Sequence, residues 1–333
     1  MDGTPVDEQL FAGLRKGDRT ALARAITLVE SGRAEDASPA RSLVERCFPH
    51  SGASLRIGIT GIPGVGKSTL LDALGLQLID ADHRVAVLAI DPSSARTGGS
   101  ILGDKTRMER LSQSDAAFIR PTPTGGTLGG VARRTQETIV LCEAAGYDRI
   151  LVETVGVGQS ELDVDHMTDL NVLLVISGAG DELQGIKRGI MEAADVIAFT
   201  KVDGDAATRS AQARRELNNA LSLLPPRDSG RRPEVLLTSA HTGSGIGELR
   251  DHIEELYQRD LASGLLLQRR REQNLFWMHR SLEGELIASF RNDERVSART
   301  PDLEKAVQDG SKSPFQAAAE LLALFRTGGA PPL

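Results

Sequence analysis

Residues Gly61-Ile62-Pro63-Gly64-Val65-Gly66-Lys67-Ser68 fill the pattern GxxxxGK[ST] at every specified position, between an apolar run at 55–60 and a helical stretch beginning near Thr69. A chain carrying this motif must run a strand into a tight glycine turn and straight into a helix. The glycines let successive backbone N–H groups turn inward around phosphate oxygens, and the helix N-terminus adds positive potential. Lys67 reaches the β and γ oxygens of a nucleotide, and the Ser68 hydroxyl is a ligand for Mg²⁺. Gly61, Gly64, Val65, Gly66, Lys67, Ser68 and Thr69 are therefore candidate nucleotide-binding residues. The competing reading, a glycine-rich turn that binds nothing, is weak for a complete motif in a strand–loop–helix frame.

Beyond this turn the chain alternates short β-branched runs with helical stretches: 55–60, 84–90, 116–119, 149–153, 171–176, 195–200 and 234–238. Such alternation predicts an α/β fold, a mainly parallel sheet covered on both faces, in the manner of a P-loop NTPase core. Three regions are expected: an N-terminal helical arm over 1–50, the nucleotide domain over 51–258, and a C-terminal helical extension over 259–333. In the arm, Leu22, Ile26 and Val29 share a helix face after Asp18 as cap and before Gly32 as stop. Ser38-Pro39 reads as a second helix start leading to Leu43 and Cys47. In the tail, Leu275, Met278, Leu282, Leu286 and Phe290 recur at helical spacing, with a second stripe at Ala317, Leu321 and Leu324 beyond Gly310 and Pro314. Those faces must be buried within the chain or against a second copy.

Composition removes several function classes. Lys and Arg total 39 against 46 Asp and Glu, a net charge of -7, which argues against capture of nucleic acid or an anionic membrane surface. No apolar run approaches the ~20 residues needed to span a bilayer. Cys47 and Cys142 form no CxxC pair, and nothing near residue 1 has the layout of a secretory signal, so a reduced, cytoplasmic compartment is expected.

Two further segments carry chemistry. Glu153-Thr154-Val155-Gly156-Val157-Gly158-Gln159 follows the fourth apolar run: an acid at a strand end can hold Mg²⁺, and Gly156 permits backbone approach to a γ-phosphate. Asp91 and Asp104 are further candidates for Mg²⁺ or its water shell, with turn or cap roles as the alternative. Lys67, Asp91, Asp104 and Glu153 form the candidate catalytic set. Thr200-Lys201-Val202-Asp203 resembles a guanine-recognition NKxD element with Thr in place of Asn. The Lys201 stem can lie over the base, and the Asp203 carboxylate accepts from guanine N1 and N2, where adenine has no matching donors. Loss of the carboxamide at Thr200 is expected to weaken contact with the base or the P-loop. Ser239-Ala240 resembles the last guanine element, in which a backbone N–H meets O6.

Together, Gly61–Ser68, Asp91-Pro92-Ser93-Ser94, the run from Arg96 to Met108 and Glu153–Glu161 resemble the MeaB/ArgK-type GTPases of the G3E group, chaperones of methylmalonyl-CoA mutase, over most of residues 10–290. The resemblance implies a GTPase that binds GTP, GDP and Mg²⁺, with Ser68, Asp91, Asp104 and Glu153 around the metal. It further implies homodimerisation through the C-terminal helices and an adenosylcobalamin-dependent acyl-CoA mutase as partner, whose cofactor loading and protection the chain gates. The segment from Gly178 to Lys187 resembles that family's mobile partner-contacting loop, which nominates Asp181, Gln184 and Lys187 as coupling residues. Val157 stands where small GTPases carry a water-orienting Gln, so slow intrinsic turnover, stimulated by the partner, is expected; Arg96 and Arg107 are either charge donors in cis or, as the simpler alternative, solvated surface arginines. Cobalamin is not expected to bind directly, because a DxHxxG box around His166 would need Asp and Gly where Val164 and Asp169 stand. Two alternatives remain. A metallochaperone GTPase would want a Cys/His cluster that six scattered His and two isolated Cys do not supply. A kinase of the old arginine/ornithine transport reading would require a phosphate acceptor.

Overall fold

The alternating apolar runs form a seven-stranded parallel sheet: β1 (Leu55–Gly61), β2 (Val85–Asp91), β3 (Ala117–Pro123), β4 (Arg149–Thr154), β5 (Leu170–Ile176), β6 (Val196–Thr200) and β7 (Glu234–Leu237), in the order β3-β2-β4-β1-β5-β6-β7. This computed structural model describes residues 5–91, 108–123, 128–154, 164–176, 188–204, 206–223, 225–227 and 229–326. Every residue of β1 and β4 is buried, as parallel strands covered on both faces require.

Twelve α-helices are described: α1 (Val6–Arg15), α2 (Arg19–Glu30), α3 (Ala34–Cys47), α4 (Lys67–Asp80), α5 (Glu109–Ser112), α6 (Leu128–Ala144), α7 (Arg188–Ala193), α8 (Ala206–Ser222), α9 (Ile246–Ser263), α10 (Leu265–Asn292), α11 (Glu294–Gln308) and α12 (Pro314–Arg326). On one sheet face Ile57, Ile59, Val87 and Leu151 pack with Leu70, Leu71 and Leu74 of α4 and Leu249 and Ile253 of α9. On the other, Leu173, Val175, Ile197 and Phe199 pack with Ile190 of α7 and Leu217 and Leu221 of α8.

The arm departs from expectation in one place. Asp18 caps α2 as predicted, its carboxylate accepting from the Thr20 and Ala21 N–H groups at 2.8 and 3.3 Å. That helix stops at Glu30, before Gly32, and α3 starts at Ala34 with Pro39 inside it instead of at Ser38-Pro39. Glu35 and Asp36 in the first turn complement the helix N-terminus, and the proline ring's fixed φ suits a helix at the cost of one backbone bond.

The chain divides into two compact units, Met1–Asn274 and Leu275–Leu333. In the first, charged side chains pair at the N-terminal edge of the sheet. Arg56 forks onto Glu143 at 2.8 and 2.9 Å, and Arg149 forks onto Glu254 at 2.7 and 3.0 Å. In the second, Phe290 meets Phe325 edge-on at 5.4 Å, and Glu320 of α12 pairs with Arg299 and Lys312. Leu275, Met278, Leu282 and Leu286 of the predicted stripe are each more than half exposed. Among the described residues no helix is long and apolar enough to cross a membrane.

Candidate nucleotide site

Parallel strands all end on the same side of their sheet, and ligands of open α/β sheets bind where neighbouring strands lead off in different directions. Here β1 is flanked by β4 on one side and β5 on the other, and the phosphate-binding motif begins at its last residue. Gly61 has φ 153°, and a Cβ there would stand 2.7 Å from the Leu174 carbonyl oxygen. Gly66 has φ 102° and caps α4 in the left-handed region, which glycine adopts without steric cost. The helix begins at Lys67, two residues before the expected Thr69, so Lys67, Ser68 and Thr69 form its first turn. Their backbone N–H groups have no intrahelical acceptor and face the loop.

The side chains of this turn are tied to strand ends. The Lys67 ammonium is buried and donates to the carbonyl oxygens of Gly61 at 2.7 Å and Ile62 at 3.1 Å. The Ser68 hydroxyl donates to Glu153 Oε1 at 3.3 Å, bringing together the two members of the predicted metal set whose side chains are described. Glu153 itself is buried at the tip of β4, in register with Ile59 of β1 and Ala89 of β2. Both groups offer hard oxygen donors, the kind Mg²⁺ takes, so the donor chemistry fits that ion. Asp91 is described in its backbone alone, as the last residue of β2, paired with Pro123. Because Ala89 pairs with Glu153, β2 ends at the same sheet edge as β4. Asp104, Gly156, Asp181, Gln184 and Lys187 lie outside the described residues, as do Arg96, Arg107 and Val157. Among the described residues no group of three or more His, Cys, Asp and Glu side chains is placed to hold a metal ion.

The predicted base-recognition segment sits against the same loop. The Thr200 hydroxyl donates to the Val65 carbonyl at 2.6 Å, so the P-loop contact expected to be weak is made. Lys201 adopts φ 57°, a left-handed conformation uncommon for a residue with a side chain, and its ammonium donates to the Gly64 carbonyl at 2.8 Å. Its stem runs past Gly66, where a Cβ would meet Lys201 Cε at 3.8 Å. The Ser239 hydroxyl donates to Asp203 Oδ1 and accepts from the Thr242 N–H at 3.1 Å, while the Val202 N–H donates to the Thr238 carbonyl at 3.2 Å. The ends of β6 and β7 are thereby locked together, with Ala240 following Ser239.

One pair carries no motif. The Thr154 hydroxyl donates to Thr60 Oγ1 at 2.9 Å, joining the tips of β4 and β1. No local pattern announces it, because it depends on the register of two strands far apart in sequence.

Comparison with known proteins agrees with this geometry. A family model described as Methylmalonyl Co-A mutase-associated GTPase MeaB matches residues 22–295. A relative from Caulobacter vibrioides is 50% identical over 325 residues, covering 98% of this chain and 98% of its own length. The Methylmalonic aciduria type A homolog, mitochondrial, of Mus musculus is 45% identical over 330 residues, 96% of this chain and 80% of that protein. A solved structure of LAO/AO transport system kinase superposes with a TM-score of 0.75 at 36% identity, covering 98% of this chain and 99% of that one.

Proposed function

The chain belongs to the MeaB family of methylmalonyl-CoA mutase-associated GTPases, and from that premise we propose that it hydrolyses GTP in order to gate adenosylcobalamin loading and protection of a cobalamin-dependent acyl-CoA mutase. The observation that carries the reading is the joining of four sequence-distant elements at one sheet edge: Ser68 to Glu153 at 3.3 Å, Lys201 to Gly64 at 2.8 Å, Thr200 to Val65 at 2.6 Å, and Ser239 to Asp203. A phosphate cradle, an acid beside it and a base-reading carboxylate are what guanine nucleotide hydrolysis requires.

In this mechanism the backbone N–H groups of 64–69 hold the β- and γ-phosphates, and Lys67 balances the charge that spreads onto their oxygens as the bond to the leaving phosphate breaks. Ser68 and Glu153, with Asp91 and Asp104, would hold Mg²⁺, which would neutralise phosphate charge. Asp203 selects guanine over adenine, Lys201 covers the base, the Ala240 N–H meets O6, and Gly156 approaches the γ-phosphate. With Val157 unable to orient water, turnover is slow until the mutase docks through a surface that includes Asp181, Gln184 and Lys187. Residues 51–258 form the nucleotide domain, braced by the arm at 1–50, and 259–333 carries the homodimer surface, for which the exposed stripe Leu275, Met278, Leu282 and Leu286 is the support. Cobalamin stays with the mutase. Two buried thiols suit a reducing cytoplasm.

The test is GTP hydrolysis by the purified chain with and without candidate acyl-CoA mutases, using ATP as control. A GTP-specific rise with one mutase supports gating and identifies the client; equal rates with and without every mutase count against it. The kinase named by the solved relative supports a second reading, transfer of the γ-phosphate to a small-molecule or protein acceptor. Radiolabel moving from γ-labelled GTP to such an acceptor, instead of appearing as inorganic phosphate, would favour it.

A further inference from the structure

Strands buried on both faces favour Val, Ile and Leu, yet β1 and β4 each place a threonine next to their shared tip. Thr154 is fully buried and Thr60 is 9% exposed. A buried hydroxyl is costly unless bonded, and here Thr154 donates to Thr60 Oγ1 at 2.9 Å, with a longer contact to the Ile59 carbonyl at 3.4 Å.

The location of this bond matters more than its presence. The backbone ladder between β1 and β4 runs from Leu55 opposite Arg149 to Ile59 opposite Glu153 and stops there. One residue on, Thr60 pairs outward with Leu173 of β5, and Thr154 pairs outward with Ile90 of β2. The hydroxyl bond continues the tie between the two strands where their backbones part. Ser68 is carried by β1 through the glycine loop and Glu153 by β4, so their 3.3 Å separation depends on how these tips sit relative to each other. Adjacent strand residues point to opposite faces, so Thr154 acts on Glu153 through the strand.

We propose that Thr154 is a positioning residue for the metal side of the nucleotide site, its bond to Thr60 holding Glu153 opposite Ser68. The proposal rests on the reading of Ser68 and Glu153 as metal ligands. Misplacement of a reacting constellation by about 1 Å can cost on the order of 100-fold. Losing one buried hydroxyl bond while keeping the side-chain shape should cost about three- to tenfold.

The experiment titrates Mg²⁺ into the full chain loaded with fluorescent GDP, alongside single-turnover GTP hydrolysis, for wild type, Thr154→Val, Thr60→Val, Thr154→Ser and Glu153→Gln. Thr154→Val is expected to raise half-saturating Mg²⁺ about three- to tenfold while leaving GDP affinity in EDTA unchanged. Thr60→Val removes the same bond from the other strand and should match it, which covers the case in which one variant folds poorly. Thr154→Ser should return to wild type. If Glu153→Gln shifts the Mg²⁺ dependence and both valine variants do not, the tie is wrong and the metal reading stands. If Glu153→Gln shifts nothing, the metal reading fails and takes the proposal with it. Equal losses of GDP affinity in EDTA and of thermal stability, without rescue by serine, would reduce Thr154 to a packing residue and overturn the proposal.

Discussion

Thr200 stands where a guanine element carries Asn, and its single hydroxyl proton is committed to Val65. It braces the phosphate loop and has no donor left for the base. Replacing it by valine keeps the shape and strands the Val65 carbonyl, so Thr200→Val should weaken GDP binding about three- to tenfold in a fluorescence titration. The cysteines make the opposite prediction, of silence. Burial pushes the Cys47 thiol up to about 11 and raises Cys142 further. At pH 8 neither should react with an aromatic disulfide reagent in the native chain, and both should react in denaturant. The phosphate loop was legible residue by residue because each of its members acts through its immediate neighbours. The Thr60–Thr154 pair was not, since a separation of 94 positions becomes a contact only once the strand register is set.

Among the elements, the first turns of α10 hold the turn that leads into β5. Arg270 pairs with both Asp169 oxygens at 2.8 and 2.7 Å, Arg269 donates to the Asp169 carbonyl at 2.7 Å, and Gln273 donates to the Thr168 carbonyl at 2.7 Å. Asp169 also accepts from the Arg56 N–H of β1 at 2.8 Å. Removing one partner of a buried pair leaves the other uncompensated, so Asp169→Ala should lower stability by about 3–5 kcal/mol in urea unfolding. A second effect is read in pH. Burial on α2 pushes the Glu30 carboxyl above its ordinary 4.5, against the pull of Arg120. A carboxyl whose folded pKa is raised contributes its stability below the unfolded value and loses it as pH rises through the folded one. Wild type should therefore lose stability relative to Glu30→Gln as pH rises above 4.5, and parallel curves for the two would contradict this. Strand existence was legible in the β-branched runs. The start of α3 was not, because Pro39 suggested a first-turn position while Glu35 and Asp36 supplied the actual one.

At the scale of the molecule, alternation of strand and helix implied a parallel sheet, but the order β3-β2-β4-β1-β5-β6-β7 depends on crossovers that local pattern does not encode. The exposed stripe on α10 carries a prediction of its own. If a second copy covers it, Leu282→Asp should turn a dimer into a monomer in sedimentation at micromolar concentration, with the melting of the nucleotide domain unchanged. Gating of a mutase by nucleotide state has a thermodynamic requirement: a ligand biases a partner only as far as the partner's affinity differs between the ligand's states. The most direct test is the affinity of the chain for methylmalonyl-CoA mutase with GDP bound and with a non-hydrolysable GTP analogue bound. The two dissociation constants should lie at least about tenfold apart, a coupling of the size allosteric proteins typically show. Measurable binding with identical constants in the two states would contradict it.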